Sequence, residues 1–305
     1  MFLSCPYKWY LSYLKGFREQ ETAEALSLGG AVHKTLEQYY LGIKDGKVWE
    51  FGEAIDLLVN TMEMYDIPFL SDENKEEAYD QHVNMMDGLV NGTNNLYKIL
   101  DDCEVVACEK EFQYKVDLDF EICFNGSIYT EIYIIGSIDM IVKNKNGGLI
   151  AIDFKSGRKI FDNSKIKKNL QLPIYSLVIN DIYGRLPVKT LYYFTRIDTL
   201  QEKPVIKQYS EDCELTYFKT GKRSGQLKDS EKCIQDIEDE LMRIFKLQYA
   251  TGKSAYKAKP TALCSWCSYS NVYGTNGNHL CEYTYPYIRK DMPVPKDLKN
   301  IKDKL

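Results

Sequence analysis

Residues 136–157, GSIDMIVKNKNGGLIAIDFKSG, contain the pattern on which the fold prediction depends. Two runs rich in Ile and Val are joined through residues 144–148, whose Asn-Gly pair is a strong hairpin signal. If the turn centres on Asn146, Asp139 lies directly opposite Asp153, with Cβ atoms about 4.5 to 5.5 Å apart. Lys155 shares that face, because side chains two residues apart on a strand point the same way.

Two carboxylates and a lysine on one face of a sheet have a specific chemical use. Facing carboxylates repel, and one normally takes up a proton unless a divalent cation binds both. Their hard oxygen atoms suit Mg²⁺ or Mn²⁺, and a lysine beside them can orient an attacking water and stabilise charge on a phosphate. The alternative is a solvated outer face with an Asp–Lys ion pair, and a register slip of one residue would separate the two aspartates.

The rest of the chain predicts an α/β protein. Alternating runs between residues 104 and 157 predict an antiparallel sheet. Helical spacing covers 1–18, 28–41, 50–100 (interrupted near Pro68), 169–182 and 229–249, and further strands are expected at 188–197 and 203–209. We expect a single domain over 1–305, with a helical insert at 42–100, a catalytic sheet core at 101–210, and a cap formed by 1–18 with 260–285.

Composition and charge narrow the classes of protein. A formal net charge of −5 argues against a protein that coats duplex DNA by bulk attraction. Cations are concentrated in Lys155–Lys168, where substrate contact and solvation are both open, and in Arg289–Lys304, where solvation is favoured. The 24 tyrosines suit half-buried surfaces and, less commonly, stacking on bases.

Targeting and nucleotide-binding signals are not apparent in the sequence. No apolar run reaches the roughly 18 to 20 residues that cross a membrane, and the first residues lack the order of a signal peptide. We therefore expect a cytoplasmic protein with no membrane association. TGKRSG (220–225) and TGKSAY (251–256) lack the spacing of a phosphate-binding loop, so no nucleotide cofactor is expected.

Four of the nine cysteines form a pattern. Cys264 and Cys267 are a C-x-x-C pair, Cys281 follows, and Cys5 lies near the start of the chain. The other five, Cys103, Cys108, Cys123, Cys213 and Cys233, are scattered and are interpreted as packing residues. Four thiolates suit either a structural zinc or an iron–sulfur cluster, and either would link residues more than 250 positions apart.

The aspartate–lysine pattern resembles the PD-(D/E)XK nuclease superfamily, particularly its RecB-type branch. GSIDMIV followed by IAIDFKSG is similar to the D…DxK core of that branch. Three further segments are similar in the same order: GGAVHKTLE with its histidine, His33; CEKEF with its glutamate, Glu109; and NLQLPIYSL with Gln171 and Tyr175. SCPYKWYLSYLKG resembles the CP segment near the N-terminus of the family.

This resemblance implies a mixed central sheet flanked by helices and a metal-dependent DNA nuclease. His33, Asp139 and Asp153 would hold Mg²⁺ or Mn²⁺, Lys155 would assist the water, and Glu109, Gln171 and Tyr175 would support the site. It further implies an exonuclease that processes DNA ends or single strands in recombination, repair or phage replication, with a separate helicase or recombination protein as partner. The alternative is a non-catalytic DNA-binding or assembly module of the same fold.

For the cysteines, the resemblance favours a 4Fe–4S cluster on Cys5, Cys264, Cys267 and Cys281, as in AddB-like enzymes and the CRISPR-associated adaptation nucleases. A structural Zn²⁺ is the alternative. The sequence departs from the family in the polar stretch 268–280, which separates Cys267 from Cys281. That stretch is either an inserted loop or a sign that His279 takes part.

Overall fold

The computed structural model describes residues 4–16, 24–124, 126–202, 230–249, 256–259, 264, 267, 269 and 281. The chain divides into two compact units, one formed by Ala23–Leu241 and the other by Met1–Thr22 with Met242–Leu305. The larger unit contains the sheet and most of the helices. Its architecture is the predicted α/β arrangement, a mixed sheet with helices on both faces.

Five strands form one sheet in the order β1-β2-β3-β4-β5. Their bounds are Cys103–Phe124, Ser127–Asn144, Leu149–Lys155, Lys189–Phe194 and Thr199–Glu202. β3 and β4 run parallel, whereas the pairs β1–β2, β2–β3 and β4–β5 are antiparallel, so the antiparallel sheet expected between 104 and 157 is one part of a mixed sheet. The parallel pair needs a crossover connection, which residues 156–188 supply.

The β2–β3 hairpin has the register expected from the sequence. β2 pairs Met140 with Ile152 and Lys143 with Leu149. Continuing this register by one residue places Asp139 opposite Asp153. Within the turn, the Asn144 side-chain oxygen accepts hydrogen bonds from the backbone N–H groups of Asn146 and Gly148, at 3.0 and 2.8 Å. Gly147 adopts a φ of +80°, which favours glycine.

Two differences from the expected strands have physical causes. The runs beginning at Glu104 and at Phe120 form one long strand, β1, because a register shift between Asp117 and Ile122 absorbs the irregularity that separated them in the sequence. The strand expected at 188–197 ends at Phe194, where residues 195–197 form a 3₁₀ turn. The strand expected at 203–209 lies outside the described residues.

Among the described residues, four helices cover one face of the sheet. They are α2 (Glu24–Lys44), α3 (Phe51–Met64), α4 (Asp72–Val90) and α5 (Asn95–Leu100); the first helix, α1 (Pro6–Trp9), belongs to the smaller unit. They bury a core with Met140, Val142, Ile152 and Phe154 of the sheet. The sequence predicted these helices, with the break near Pro68 between α3 and α4. α2 extends beyond the expected 28–41 at both ends.

The other face is covered by α7 (Gln171–Tyr183), which packs on Ile141, Ala151, Tyr192 and Phe194. A short helix that the sequence did not predict, α6 (Asn163–Lys168), precedes it. Asp162 caps α6 by accepting a hydrogen bond from the Lys165 N–H at 2.8 Å, a strong local start signal. The last helix, α8 (Ser230–Gln248), matches the expected 229–249 closely.

In the smaller unit, α1 (Pro6–Trp9) continues into a π-helical turn, Tyr10–Leu14. Its buried core contains Leu11, Tyr269 and Cys281. The helix expected over 1–18 is therefore found over its central part. None of the described helices is both long and apolar enough to cross a membrane.

Candidate active site

His33 lies on α2 at the boundary between buried and exposed positions, following the fully buried Ala31 and Val32. Its Nε2 is 2.9 Å from the backbone carbonyl of Phe154, which can only accept, so Nε2 carries a hydrogen. Nδ1 then faces the carboxylates of Asp139 and Glu109, at 3.4 and 3.6 Å. In the neutral imidazole Nδ1 carries the lone pair, so this atom can bind a metal.

The carboxylates around His33 alter its protonation. Burial alone would lower the pKa of His33, but the contact with Glu109 and the charges of Asp139 and Asp153 outweigh it and raise that pKa. The pKa of Glu109 is lowered, chiefly by the same contact with His33. Surroundings that favour a proton on His33 also favour a divalent cation in its place.

Glu109 reaches this group through an unusual backbone conformation. Its φ is +43°, in the left-handed region that non-glycine residues rarely adopt. The β1–β2 ladder pairs Cys108 with Met140 and Lys110 with Ile138, and Glu109 is not among its pairs. The Glu109 carboxylate accepts a hydrogen bond from the Ser137 hydroxyl. Strained residues of this kind occur preferentially at functional sites.

Asp139 and Asp153 are buried, with 6% and 0% of their surface exposed. The Phe154 N–H donates to Asp139 Oδ2 at 2.6 Å. Burial, and then the charge of Asp153, raise the pKa of Asp139 to about 7. Burial likewise raises the pKa of Asp153, although Lys155 opposes the shift. Two buried carboxylates with raised pKa values are the electrostatic conflict that the sequence predicted.

Asp153, Lys155, Gln171 and Tyr175 form a closed ring of contacts. Lys155 Nζ makes an ion pair with Asp153 Oδ2 and donates to Gln171 Oε1 at 3.0 Å. Gln171 Nε2 donates to the Tyr175 hydroxyl at 3.1 Å, and that hydroxyl donates to Asp153 Oδ1 at 3.2 Å. Because Gln171 and Tyr175 are four residues apart on α7, they lie on one face of the helix and both reach β3.

The structure brings all seven predicted residues of this centre together. Its tightest possible metal-binding group, with ligand atoms within 4.8 Å of one another, is His33, Glu109 and Asp139. The sequence predicts that Asp153 binds the metal and that Glu109 only supports the site. Asp153 adjoins the group and acts on His33 and Asp139 through its charge. A nitrogen and three carboxylates suit Mg²⁺ or Mn²⁺, so the residues fit the expected metal.

The four patterned cysteines all fall in the smaller unit. Cys5 is the N-cap of α1, with its sulfur 3.5 Å from the Lys8 N–H. Burial raises the pKa of Cys267, whose N–H donates to the Cys264 carbonyl at 3.2 Å. Cys281 is buried and donates its N–H to the Tyr269 carbonyl at 3.0 Å. Four thiols are the donors that an iron–sulfur cluster or a zinc ion takes, although no three of the four sulfur atoms lie within 4.8 Å of one another in the part of the chain that the structure describes.

Ser137 and the Phe154 carbonyl were not predicted as parts of the site. Ser137 lies two residues before Asp139 on β2, so strand alternation could have placed it on the same face. The role of Phe154 comes from its backbone, which no side-chain pattern reveals. In the cationic strip, none of the residues of α6 is buried.

Comparisons with protein families and with solved structures found matches that cover most of the chain. A family model described as the PD-(D/E)XK nuclease superfamily matches residues 1–272. No curated protein matches the chain. One similar solved structure, titled "Crystal structure of SSO0001", has 16% sequence identity and a TM-score of 0.32, and the match covers 87% of this chain and 91% of that chain. Because the family model spans most of the sequence, the chain belongs to the PD-(D/E)XK nuclease superfamily.

Proposed function

We propose that this protein is a metal-dependent DNA nuclease that hydrolyses phosphodiester bonds. The observation that carries the proposal is the meeting of buried Asp139 and Asp153 with His33, Glu109 and the ordered Lys155 at one end of the sheet. Superfamily membership supports a divalent metal and a DNA substrate. No other group of histidine, cysteine and carboxylate ligands of comparable tightness occurs among the described residues.

Each residue has a role in this proposal. His33, Asp139 and Asp153 would hold the metal, with Glu109 beside them. When bound, Mg²⁺ or Mn²⁺ supplies Lewis-acid polarisation of the phosphate and lowers the pKa of water. Lys155 is fixed between Asp153 and Gln171, where its ammonium can orient the attacking water and stabilise the charge that develops on the phosphate. Gln171 and Tyr175 keep Lys155 and Asp153 in place.

The finer proposal is an exonuclease acting on DNA ends or single strands in recombination, repair or phage replication. It is supported by the similarity of GSIDMIV, IAIDFKSG and NLQLPIYSL to RecB-type sequences. Neither glycine–lysine segment has the spacing of a phosphate-binding loop, so a separate helicase or recombination protein would supply any nucleotide-driven motion. Proteins of one fold take part in different biological processes. The biological process and the direction of cleavage are therefore to be measured directly.

For the cysteines we propose a 4Fe–4S cluster held by Cys5, Cys264, Cys267 and Cys281. Support comes from the spacing of the four cysteines in the sequence and from their presence in one unit. A cluster there would stabilise the fold by closing a long loop between the two ends of the pattern. Protein purified anaerobically should be brown and contain iron and sulfide; colourless protein with stoichiometric zinc would establish the alternative.

Cleavage of end-labelled linear DNA tests the main proposal. Single- and double-stranded substrates, labelled at either end, would be incubated with Mg²⁺, Mn²⁺ or EDTA. We expect degradation with either metal, none with EDTA, and a loss of at least about a thousandfold in Asp153→Ala and Lys155→Ala. Lys189→Ala, a half-exposed lysine at the start of β4, is the matched control and should cleave normally.

The outcome also separates the two functional hypotheses. Loss of short labelled products from one end would indicate an exonuclease and its polarity. If anaerobically purified protein binds these DNAs but leaves them intact with both metals, the catalytic proposal fails and the DNA-binding module becomes the better account. The retained ring around Lys155 favours catalysis over that alternative.

A further inference from the structure

A cavity of about 220 Å³ lies at the end of β4, between α4 and the turn formed by residues 195–197. Its lining includes the polar side chains of Gln81, Asn84, Asn94 and Arg196 and the apolar side chains of Met85 and Ile197. None of these six residues belongs to the proposed catalytic centre. Asn84 is exposed, so it can mark the opening of the cavity.

Arg196 gives the cavity an unused donor. Its side chain is only 5% exposed, and Nε donates to Gln81 Oε1. Nη2 is buried and has no hydrogen-bond partner among the described residues. The carboxylate oxygen Glu77 Oε1 is 3.9 Å from Nη2, too far for a hydrogen bond. A buried donor without a partner is costly, which points to a ligand that supplies an acceptor.

The cavity lies close to Lys155 of the proposed catalytic centre. Lys155 pairs with Phe194 in the parallel ladder, and Arg196 follows two residues later. Thr195, which also lines the cavity, has its hydroxyl oxygen 3.4 Å from the Lys155 carbonyl oxygen. The Lys155 side chain faces α7 and the cavity faces α4, so one DNA strand crossing this end of the sheet would meet both.

The charges around Arg196 select a neutral ligand over a phosphate. The Asp198 carboxylate also lines the cavity, and Glu77 is nearby. Asp198 already accepts hydrogen bonds from the Asn95 N–H at 2.9 Å and the Tyr193 hydroxyl at 3.1 Å. Glu77 is paired with a second guanidinium, that of Arg158, at 2.7 Å. Two guanidinium groups and two carboxylates balance and leave no surplus positive charge for a phosphate. A planar ring with a carbonyl acceptor can bond to the Arg196 guanidinium and also pack against Met85 and Ile197.

We propose that this cavity binds one unstacked nucleobase of the substrate strand, through a hydrogen bond from Arg196 to a carbonyl oxygen of the base. The inference rests on the proposed nuclease function and deepens it, because a base can enter only when it is unpaired and unstacked. It therefore assigns a single-stranded segment to the substrate near the scissile phosphate. Thymine, cytosine and guanine carry a carbonyl oxygen and adenine does not.

Binding of short homopolymers tests the proposal without cleavage. The full chain carrying Lys155→Ala would be titrated in Mg²⁺ with end-labelled oligothymidine, oligocytidine and oligoadenosine strands, followed by fluorescence anisotropy. We expect the thymidine and cytidine strands to bind about tenfold more tightly than the adenosine strand, the effect of one hydrogen bond to a charged group. Adding Arg196→Met should remove this preference. Any contribution from stacking within the adenosine strand persists in the variant, so it is subtracted.

Two further variants keep the test decisive. Asn84→Trp places a large ring at the opening from an exposed helical position, and should remove the preference even if Arg196→Met does not fold. Arg185→Met, an exposed arginine outside the cavity, should bind all strands like the parent chain. Thermal unfolding would confirm that each variant is folded.

The outcomes distinguish this inference from the function on which it rests. Equal binding of all strands by the parent chain, or a preference that survives Asn84→Trp, overturns the base site. A uniform loss of affinity for every strand in Arg196→Met would indicate a phosphate contact and also overturn it. If the wild-type chain cleaves DNA, these results exclude the base site and leave the proposed nuclease function intact. If it neither cleaves nor binds DNA, the proposed function fails and the base site fails with it.

Discussion

The two halves of the catalytic centre differ in how completely they are connected. Around Lys155, the contacts with Gln171 and Tyr175 have ordinary hydrogen-bond lengths of 3.0 to 3.2 Å and close into a ring. Around His33, the approaches to Asp139 and Glu109 are 3.4 and 3.6 Å, which exceeds a normal N–H···O bond. The ring holds its lysine through direct contacts, whereas the spacing within the histidine group leaves room for an ion between its members. The difference supports the proposal that one half positions Lys155 and the other binds the metal.

The group formed by His33, Glu109 and Asp139 is the open half of the centre. The largest expected effect comes from Asp139→Asn, which removes a charge from this half. We expect cleavage to fall about a thousandfold or more, because the metal and the charge it contributes to the transition state are lost together. Thermal unfolding with increasing Mn²⁺ measures binding independently of activity. At about a hundred times Kd, a ligand adds about 2.7 kcal/mol to the free energy of unfolding of the wild type. The variant should show no such increase.

Asp181→Asn is the matched control for that experiment. Asp181 lies exposed on α7, away from the carboxylate group, and its variant should respond to Mn²⁺ like the wild type. An unchanged Mn²⁺ response in Asp139→Asn would contradict the division of the centre into a binding half and a positioning half.

Glu109→Gln should have a smaller effect and sharpen the assignment of ligands. If Glu109 completes the open half, Mn²⁺ should bind roughly 10- to 100-fold more weakly, since one ligand charge is lost, while much of the cleavage returns at saturating metal. Glu111→Gln, an exposed position on the same strand, should change neither quantity. Comparison with Asp153→Asn decides which carboxylate contributes more: an affinity that falls only in Asp153→Asn would exclude Glu109 from the metal.

The ring of Asp153, Lys155, Gln171 and Tyr175 is the closed half of the centre. Tyr175→Phe tests it with a nearly isosteric change. It removes the hydrogen bond donated to Asp153 and the acceptor for Gln171. Because Tyr175 is not itself a proposed ligand and Asp153 keeps its ion pair with Lys155, we expect kcat to fall about tenfold, as for loss of a single hydrogen bond, with KM and Mn²⁺ affinity unchanged. Tyr183→Phe at the end of α7 is the control. A loss of Mn²⁺ affinity in Tyr175→Phe would show that the two halves are not separable.

The parts of this site that depend on strand and helix periodicity could be predicted. The Asn-Gly turn determines which residues of β2 and β3 face each other, and so placed Asp139 near Asp153. Spacing by four on a helix similarly placed Gln171 with Tyr175. The positive φ of Glu109 was not predictable, because glutamate has no intrinsic preference for it and tertiary contacts impose it. Glu109 lies with His33 and Asp139 in the group that could hold a metal, whereas the sequence predicted His33, Asp139 and Asp153.

The cavity at Arg196 shows a second limit of sequence reasoning. Its lining comes from α4, from the connection to α5, and from the turn after β4, segments about 100 residues apart. No periodic pattern relates them, and a single arginine after a buried strand most often indicates the end of that strand. Only the assembled sheet shows that this end adjoins Lys155.

The smallest expected effect on cleavage, at neutral pH, comes from a buried histidine outside the site, His82 on α4. Its Nδ1 donates to the Ala78 carbonyl at 2.7 Å, and its Nε2 accepts from the Thr195 hydroxyl at 3.2 Å. Burial lowers the pKa of His82 to about 4, with the charge of Arg196 acting in the same direction and the hydrogen bond to Ala78 opposing the shift. His82 thus shifts in the direction opposite to His33, because no carboxylate dominates its surroundings.

The direction of this shift fixes how stability should depend on pH. Between about pH 6.5 and pH 4 an unfolded chain binds a proton at this histidine and the folded chain does not, so stability falls as pH falls. The loss from this residue should reach about 3 kcal/mol between pH 7 and pH 4. Urea unfolding of the wild type and of His82→Gln across this range measures it as the difference between the two curves, which removes the titration of Asp139 and other shared groups. Parallel curves would mean that His82 is accessible to protons in the folded chain. Curves that converge towards low pH would show that His82 stays uncharged in the folded chain. The carboxylates around His33 are then what distinguish it from His82.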